Sequence, residues 1–244
     1  MTDIYILGNG AMASALACGL QEKYQVYIIG RDEKKLTDLE KQGFKTLLYK
    51  DFSLENKNVI LAFKPYALKD MANILNAQAR ILISVLANVS FDTLKCIKAQ
   101  NYVRIMPNIA AKYKASATPY LIQNSYFKDE IIQILQTFGN IYELKEEKQM
   151  NAAMAISGCA PAFLALIAES IADGGVNEGL DRDLSIELTQ GLFESFAQLL
   201  SHKHPALIKE KICSPAGVTI KGVRTLEKYA IRSAFIEALN SSSS

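Results

Sequence analysis

Residues 4–13 read I-Y-I-L-G-N-G-A-M-A, and any fold proposed for the chain has to accommodate them. The apolar run Ile4–Leu7 predicts a short strand ending at Gly8. Gly8, Gly10 and Ala13 then fall in the spacing G-x-G-x-x-(G/A), and Ala11–Gln21 continues as a helix-forming run. Strand, glycine turn and helix in this order are the context that gives the spacing meaning. Gly8 lets the chain turn tightly out of the strand. Gly10 carries no Cβ, so a pyrophosphate can approach the backbone, and Ala13 lets the helix pack close to the sheet. The first free N–H groups of the helix would face the phosphates, where the helix dipole favours negative charge. The competing reading is an ordinary strand-to-helix turn. The motif's place at the start of the chain, after an apolar strand, favours a dinucleotide site formed by Gly8, Asn9, Gly10, Ala11, Met12 and Ala13.

The segments that follow alternate. Gln25–Ile29, Val59–Phe63, Ile81–Leu86, Val103–Met106, Ala117–Ile122 and Ile141–Glu143 read as strands, with Phe44–Leu48 as a further candidate. Arg31–Gln42, Tyr66–Leu75, Phe91–Ala99 and Phe127–Phe138 read as helices. The pattern predicts a doubly wound, mostly parallel sheet with helices on both faces. From about Lys145 the strand signals stop and helices take over. Gln149–Ala172 is apolar nearly all round, which predicts burial on every side, with Gly174-Gly175 ending it. Asp183–Leu200, His204–Ile212 and Thr219–Tyr229 follow, then Arg232–Leu239 as a separate or continued helix and a frayed tail at Asn240–Ser244. The expected division is a Rossmann-type domain over residues 1–147 and an all-α domain over 148–244. Homodimerisation through the helices would cover the apolar one; the alternative is that it packs only on its own Rossmann domain.

With 244 residues and a formal net charge of +2, the chain is long enough for one large or two modest cores and has no Lys/Arg run. Nucleic-acid and membrane-surface partners are therefore disfavoured. The chain begins directly with a strand, which predicts no signal peptide. Ala152–Ala168, its most apolar stretch, is interrupted by Ser157, Gly158 and Pro161 and is not expected to span a bilayer. Cys18, Cys96, Cys159 and Cys213 match no metal spacing, so reduced thiols and a cytoplasmic location are expected. His202 and His204 read as part of a solvated turn before Pro205, and no metal site is expected.

The second strand ends Ile28-Ile29-Gly30-Arg31. NAD-specific domains usually place a carboxylate there, on the ribose 2′-OH. Arg31 would instead pair with a 2′-phosphate, which favours NADPH, with NADH open as an alternative. Against this, Arg31 could be a solvated residue at a helix start, and Asp32 the helix cap or the ribose ligand. Ligands of such sheets bind at the carboxyl ends of the strands. Ala62, Lys64 and Pro65 follow one strand and Asn88 another, so all four join the candidate cofactor residues.

A second constellation is Cys213–Arg224, C-S-P-A-G-V-T-I-K-G-V-R. Ser214-Pro215 breaks the preceding helix. Gly217 leaves the backbone uncovered, and Val218, Thr219 and Ile220 begin the next helix. Its free N–H groups could receive a carboxylate. The plain alternative is a helix–helix turn with Thr219 as its cap.

These residues and several others together resemble the pyrroline-5-carboxylate reductase family. The resemblance covers nearly the whole chain. It rests on Gly8-Asn9-Gly10-Ala11-Met12-Ala13, Ala62-Phe63-Lys64-Pro65, Val103-Arg104-Ile105-Met106-Pro107-Asn108 and Ser157-Gly158-Cys159-Ala160-Pro161-Ala162-Phe163. Ala172-Asp173-Gly174-Gly175-Val176 with Gly179-Leu180, His204-Pro205, the Ser214–Thr219 turn and Leu226-Glu227 with Arg232 complete it. The family pattern is S-G-S-G-P-A-Y where this chain has Cys159, Ala160 and Phe163, and S-P-G-G-T-T where it has Ala216 and Val218. Ala216 can replace the glycine without strain only if its φ is negative.

The resemblance implies a two-domain homodimer, or a larger homo-oligomer, with the active site between the domains. It implies reduction of L-1-pyrroline-5-carboxylate to L-proline, the last step of proline biosynthesis, by hydride transfer from NAD(P)H to the imine carbon. The N–H groups of Gly217, Val218 and Thr219 would hold the substrate carboxylate, Ser214 would join them in binding substrate, and Thr219 would hydrogen-bond the imine nitrogen as the catalytic residue. Two other readings stay open: another dehydrogenase or imine reductase of the same architecture, and a non-catalytic NADP-sensing protein.

Overall fold

The computed structural model describes residues 2–243. The chain divides into two compact units, the first closing at Gly158 and the second opening at Cys159.

The first unit is an α/β fold. In chain order it runs β1 (Asp3–Leu7), α1 (Ala11–Leu20), β2 (Gln25–Gly30), α2 (Glu33–Lys41), β3 (Lys45–Leu48), β4 (Asn58–Leu61), α3 (Leu68–Ile74), β5 (Ala79–Ser84), α4 (Phe91–Leu94), β6 (Ala99–Ile105), β7 (Ser116–Ile122), α5 (Lys128–Leu135) and β8 (Gly139–Glu143). Among the described residues the strands form one eight-stranded sheet in the order β3-β2-β1-β4-β5-β6-β7-β8. Every pairing is parallel except β6 with β7. The order reverses between β1 and β4, and a doubly wound sheet opens its ligand crevice at such a switch point.

Two apolar clusters cover the two faces of the sheet. One gathers Ile4, Ile6, Leu16, Leu20, Ile28, Ile60 and Phe138. The other gathers Leu7, Ile29, Leu54, Leu61, Leu82 and Leu94. Alternate residues of each strand feed alternate clusters, as the pleat requires. Their near-continuous apolar sequences follow from burial on both faces.

The remaining helices are α6 (Met150–Met154), a π-helical turn (Ala155–Cys159), α7 (Ala160–Asn177), α8 (Arg182–His202), α9 (Pro205–Ile212), α10 (Val218–Lys228) and α11 (Ile231–Ser243). Within the second unit α7 and α8 pack together. Ser185 Oγ of α8 donates to Ala172 O of α7 at 2.7 Å.

Several sequence expectations need correction. Gly174-Gly175 does not end a helix: α7 runs through both. Gly175 instead sits against Ser185 and Leu180, where α8 approaches and a side chain would not fit. The stop is Gly179, at φ +99. Gly179 N–H bonds to Val176 O and Leu180 N–H to Gly175 O, a Schellman cap. Phe91–Ala99 is helical only to Leu94, because Ile97 turns into the core and Ala99 already belongs to β6. The tail is not frayed through residue 243, since α11 includes it.

Residues 147–177 form one helical stretch through Ser157, Gly158 and Pro161, and by length and composition it could cross a bilayer. Pro161 directly follows the π-helical turn, in the first turn of α7, where the hydrogen-bond register changes. Nor is the stretch buried on every side within one chain: in α7 only Ala172 is fully buried, and Leu164, Leu166 and Ile171 are exposed.

Candidate active site

The dinucleotide motif forms the turn from β1 into α1. Gly8 has φ +131, and its N–H bonds to Ile29 O on β2 at 2.9 Å. Gly10 is the N-cap of α1 in extended conformation, and no side chain caps the helix. Ser14 N–H bonds back to Gly10 O. The amides of Ala11, Met12 and Ala13 have no hydrogen-bond partner among the described residues. A Cβ on Gly10 would meet nothing within 4 Å, so the space above these amides is open. An uncapped helix start beneath open space is what a pyrophosphate requires, so the residues present fit the cofactor. Ala13 is fully buried, as helix–sheet packing demands. Asn9 Nδ2 is buried with no partner among the described residues.

Arg31 follows β2 and is exposed. Asp32 caps α2, its Oδ1 accepting Lys35 N–H at 3.2 Å. The helix cap is thus one of the roles open to Asp32 from sequence that the structure places. Burial pushes the Tyr49 hydroxyl up to about 12, with the Arg31 charge pulling the other way. Tyr49 follows β3, whose Leu48 is in register with Gly30, so it stands beside Arg31.

Ala62, Lys64 and Pro65 follow β4. Ala62 N–H bonds to Leu7 O at 2.8 Å, and Lys64 is exposed at the N-cap of the 3-10 turn Pro65–Ala67. Asn88 is exposed in the loop after β5 at φ +57. The loops after β2, β1, β4 and β5, adjacent strands of the sheet, thus carry every cofactor residue expected from sequence along one carboxyl edge.

The residues expected to hold substrate lie in the second unit. Ser214-Pro215-Ala216-Gly217 is a tight turn in which Gly217 N–H donates to Ser214 O at 3.1 Å. Proline in second place and positive φ in third, +58 at Ala216, is the pattern of a type II turn. The condition for an unstrained Ala216 is therefore not met. The Gly217 amide is also used within the turn and is not free for a ligand. Gly217 is the N-cap of α10, again with no side-chain cap, and Thr219 is its second residue rather than its cap. The amides of Val218, Thr219 and Ile220 have no hydrogen-bond partner among the described residues, and Val218 and Thr219 are exposed.

Further contacts in the first unit involve residues given no role from sequence. Glu147 pairs with Arg104 of β6 at 2.7 Å. Ser157 Oγ donates to Met106 O, and Asn108 Nδ2 donates to Ser157 O, both at 2.9 Å. The π-turn is thereby fastened to the chain leaving β6. The available signal was an arginine inside an apolar strand, which demands a counter-charge. In the second unit, His204 Nδ1 caps α9 by accepting Ala206 N–H at 3.3 Å.

Comparison with known proteins bears on both units. Residues 147–244 match the family model for pyrroline-5-carboxylate reductase dimerisation, and residues 3–88 match the model for NADP oxidoreductase coenzyme F420-dependent proteins. A pyrroline-5-carboxylate reductase of Helicobacter pylori (strain J99) is 36% identical over 99% of this chain and 98% of its own length. The crystal structure of 1-pyrroline-5-carboxylate reductase from Streptococcus pyogenes superposes with a TM-score of 0.88, at 26% identity, over 99% of this chain and 96% of that one. The Plasmodium falciparum pyrroline carboxylate reductase with NADP bound gives 0.86 at 25% identity, over 100% and 97%.

Proposed function

The chain belongs to the pyrroline-5-carboxylate reductase family, and from that premise we propose how its own residues share the reaction. It is an NADP-dependent oxidoreductase that reduces L-1-pyrroline-5-carboxylate to L-proline. Bound NADPH supplies the hydride that the imine carbon receives.

In this proposal Gly8, Asn9, Gly10, Ala11, Met12 and Ala13 hold the pyrophosphate. Arg31 faces the 2′-phosphate, and Ala62, Lys64, Pro65 and Asn88 line the rest of the cofactor site. The substrate carboxylate is received by the amides of Val218 and Thr219, to which Ile220 adds a third. Ser214 and Gly217 shape the turn that keeps those amides clear. The Thr219 hydroxyl hydrogen-bonds the imine nitrogen. An ordinary threonine is a weak acid, so its contribution is mainly orientation.

The observation carrying this reading is that α1 and α10 both start at a glycine without a side-chain cap, leaving bare amides for an anion. Oxidation of NADPH by the purified protein, followed at about 340 nm with pyrroline-5-carboxylate, is the test. Binding of NADPH without its consumption would instead mark a nucleotide-sensing protein. Thr219→Ala should lower turnover about tenfold or more while leaving NADPH affinity unchanged. Full activity in that variant would remove Thr219 from the mechanism.

We assign residues 1–147 to cofactor binding and 148–244 to substrate binding and dimerisation. A second copy of the chain is the occupant proposed for the exposed apolar face of α7 and α8. The family model supports this, as does an open groove of about 1030 Å³ lined by Ala165, Leu166, Ile186 and Phe193. Glu169, Asp173 and Glu194 line the same groove, which suits a protein partner better than lipid. The four cysteines are free thiols, in keeping with a cytoplasmic location. A sedimentation mass of a single chain would overturn the dimer.

A further inference from the structure

Arg104 stands in β6 with its side chain only 4% exposed. Its Nη1 donates to Glu147 Oε1 at 2.7 Å. The same carboxylate oxygen accepts the backbone N–H of Phe91, also at 2.7 Å. Glu147 is itself held by its own segment. Glu146 and Gln149 form a capping box around the turn Glu147–Gln149, each side chain bonded to the other's backbone N–H. One carboxylate therefore joins the buried arginine of β6 to the first residue of α4.

Phe91 directly follows the loop of residues 85–90, which leaves β5 at the carboxyl edge and carries Asn88 at positive φ. The other end of this loop is fixed by Ser84 Oγ, which accepts Leu86 N–H at 3.2 Å. The loop is thus tied at both ends, and Glu147 supplies one tie from far along the chain. An asparagine tolerates the left-handed region better than most residues, yet the neighbouring backbone must hold it there. A loop already in its binding conformation spares the ligand the entropy of ordering it.

We propose that Glu147 is a positioning residue for the cofactor. Held by Arg104, it fixes the 85–90 loop through the Phe91 amide and so sets the affinity for NADPH. The inference rests on the reading that Asn88 contacts the cofactor. Neither Glu147 nor Arg104 needs to touch the ligand.

The test uses the full chain carrying Glu147→Ala, Glu147→Gln, Asn88→Ala or the Asn88→Ala/Glu147→Ala pair. Three quantities are measured: NADPH dissociation constants by fluorescence titration, hydrogen exchange of residues 85–90 without cofactor, and melting temperature. Glu147→Ala should raise the NADPH dissociation constant about tenfold. It should also speed exchange of the 85–90 amides in the cofactor-free protein. Glu147→Gln keeps an acceptor for Phe91 and should shift both less. In the double variant Glu147→Ala should add less than it does alone, because both act through one loop. If Asn88→Ala weakens NADPH and Glu147→Ala lowers only the melting temperature, Arg104–Glu147 is a structural ion pair and the inference fails. If Asn88→Ala leaves NADPH affinity unchanged, the assignment of Asn88 fails and the inference falls with it. Should Glu147→Ala not fold, Glu147→Gln is judged by direction: weaker NADPH binding with faster exchange of the 85–90 amides supports the inference, and a lower melting temperature with both unchanged overturns it.

Discussion

A Cβ placed on Gly8 would stand 2.5 Å from the carbonyl oxygen of Ala62. The two residues directly follow β1 and β4, the strands that flank the switch point, and Ala62 cannot move aside because its N–H is bonded to Leu7 O. Gly8 also has φ +131, which L side chains rarely adopt. Gly8→Ala should therefore cost about 2–4 kcal/mol of stability. Gly10 is the opposite case, at φ −92 with open space where its Cβ would be. Gly10→Ala should change stability by no more than about 0.5 kcal/mol. It should nevertheless weaken NADPH about tenfold by filling the pyrophosphate's approach. Urea unfolding and NADPH titration of the two variants check the contrast; equal losses of stability would refute it.

Ala216 occupies the left-handed region at φ +58, in the turn that opens α10. A Cβ there costs about 1–2 kcal/mol, partly offset because alanine restricts the unfolded chain more than glycine. Ala216→Gly should therefore stabilise the protein by about 0.5–1 kcal/mol, read as a higher urea midpoint with unchanged slope. The turn geometry is kept, so the KM for pyrroline-5-carboxylate should stay within about twofold. A loss of stability would mean that the turn does not hold Ala216 at positive φ in solution.

The strand positions could be read from sequence because a parallel sheet covered on both faces needs short apolar runs, and Ile4–Leu7, Val59–Leu61 and Ile81–Ser84 supply them. The nucleotide turn could be read because Gly8 and Gly10 are demanded by sterics at fixed spacing. Gly174-Gly175 misled because a helix tolerates glycine where another helix crosses closely, and that crossing is invisible in the sequence. The true stop, Gly179, is one glycine among several until its φ is known. Gln149–Ala172 was expected to be buried because a pattern of apolar residues specifies that a surface is covered, not which chain covers it. Glu147 escaped notice because its partner Arg104 lies 43 residues away, and nothing local links them. The strain at Ala216 depends on a single backbone angle, which composition does not determine.

Asp32 caps α2 with one carboxylate oxygen through Lys35 N–H, and Arg31, exposed directly after β2, is the cation proposed to meet a ribose 2′-phosphate. A guanidinium recognises phosphate strongly and a bare hydroxyl weakly. Arg31→Ala should raise the NADPH dissociation constant about tenfold and leave that for NADH within about twofold. Direct titration with each nucleotide decides the point. Equal losses for both would remove the 2′-phosphate from Arg31.

At the opposite, amino edge of the sheet, Arg80 and Glu130 make a two-pronged contact, Nη1 to Oε1 at 2.7 Å and Nη2 to Oε2 at 2.6 Å. Asn58 Nδ2 adds a third bond to Oε1, and the guanidinium lies 4.0 Å from the Phe127 ring centroid. Hydrogen bonding from Arg80, above all, holds the Glu130 carboxyl below its ordinary value of 4.5. A group whose pKa is depressed on folding stabilises the fold above the unfolded value, and that stability is lost as pH falls through the folded one. The native state then binds fewer protons than the unfolded state, so stability rises with pH across that window. Glu130→Gln keeps the shape but not the charge. It should be less stable than the wild type at pH 7, and the difference should shrink as the pH is taken below about 4.5, where the wild-type carboxylate protonates first in the unfolded chain. Urea midpoints of both proteins at pH 7, 5 and 4 measure this difference, and other carboxylates common to both cancel in it. A gap that stays constant with pH would mean that the pair contributes through packing on Phe127 and not through its charge.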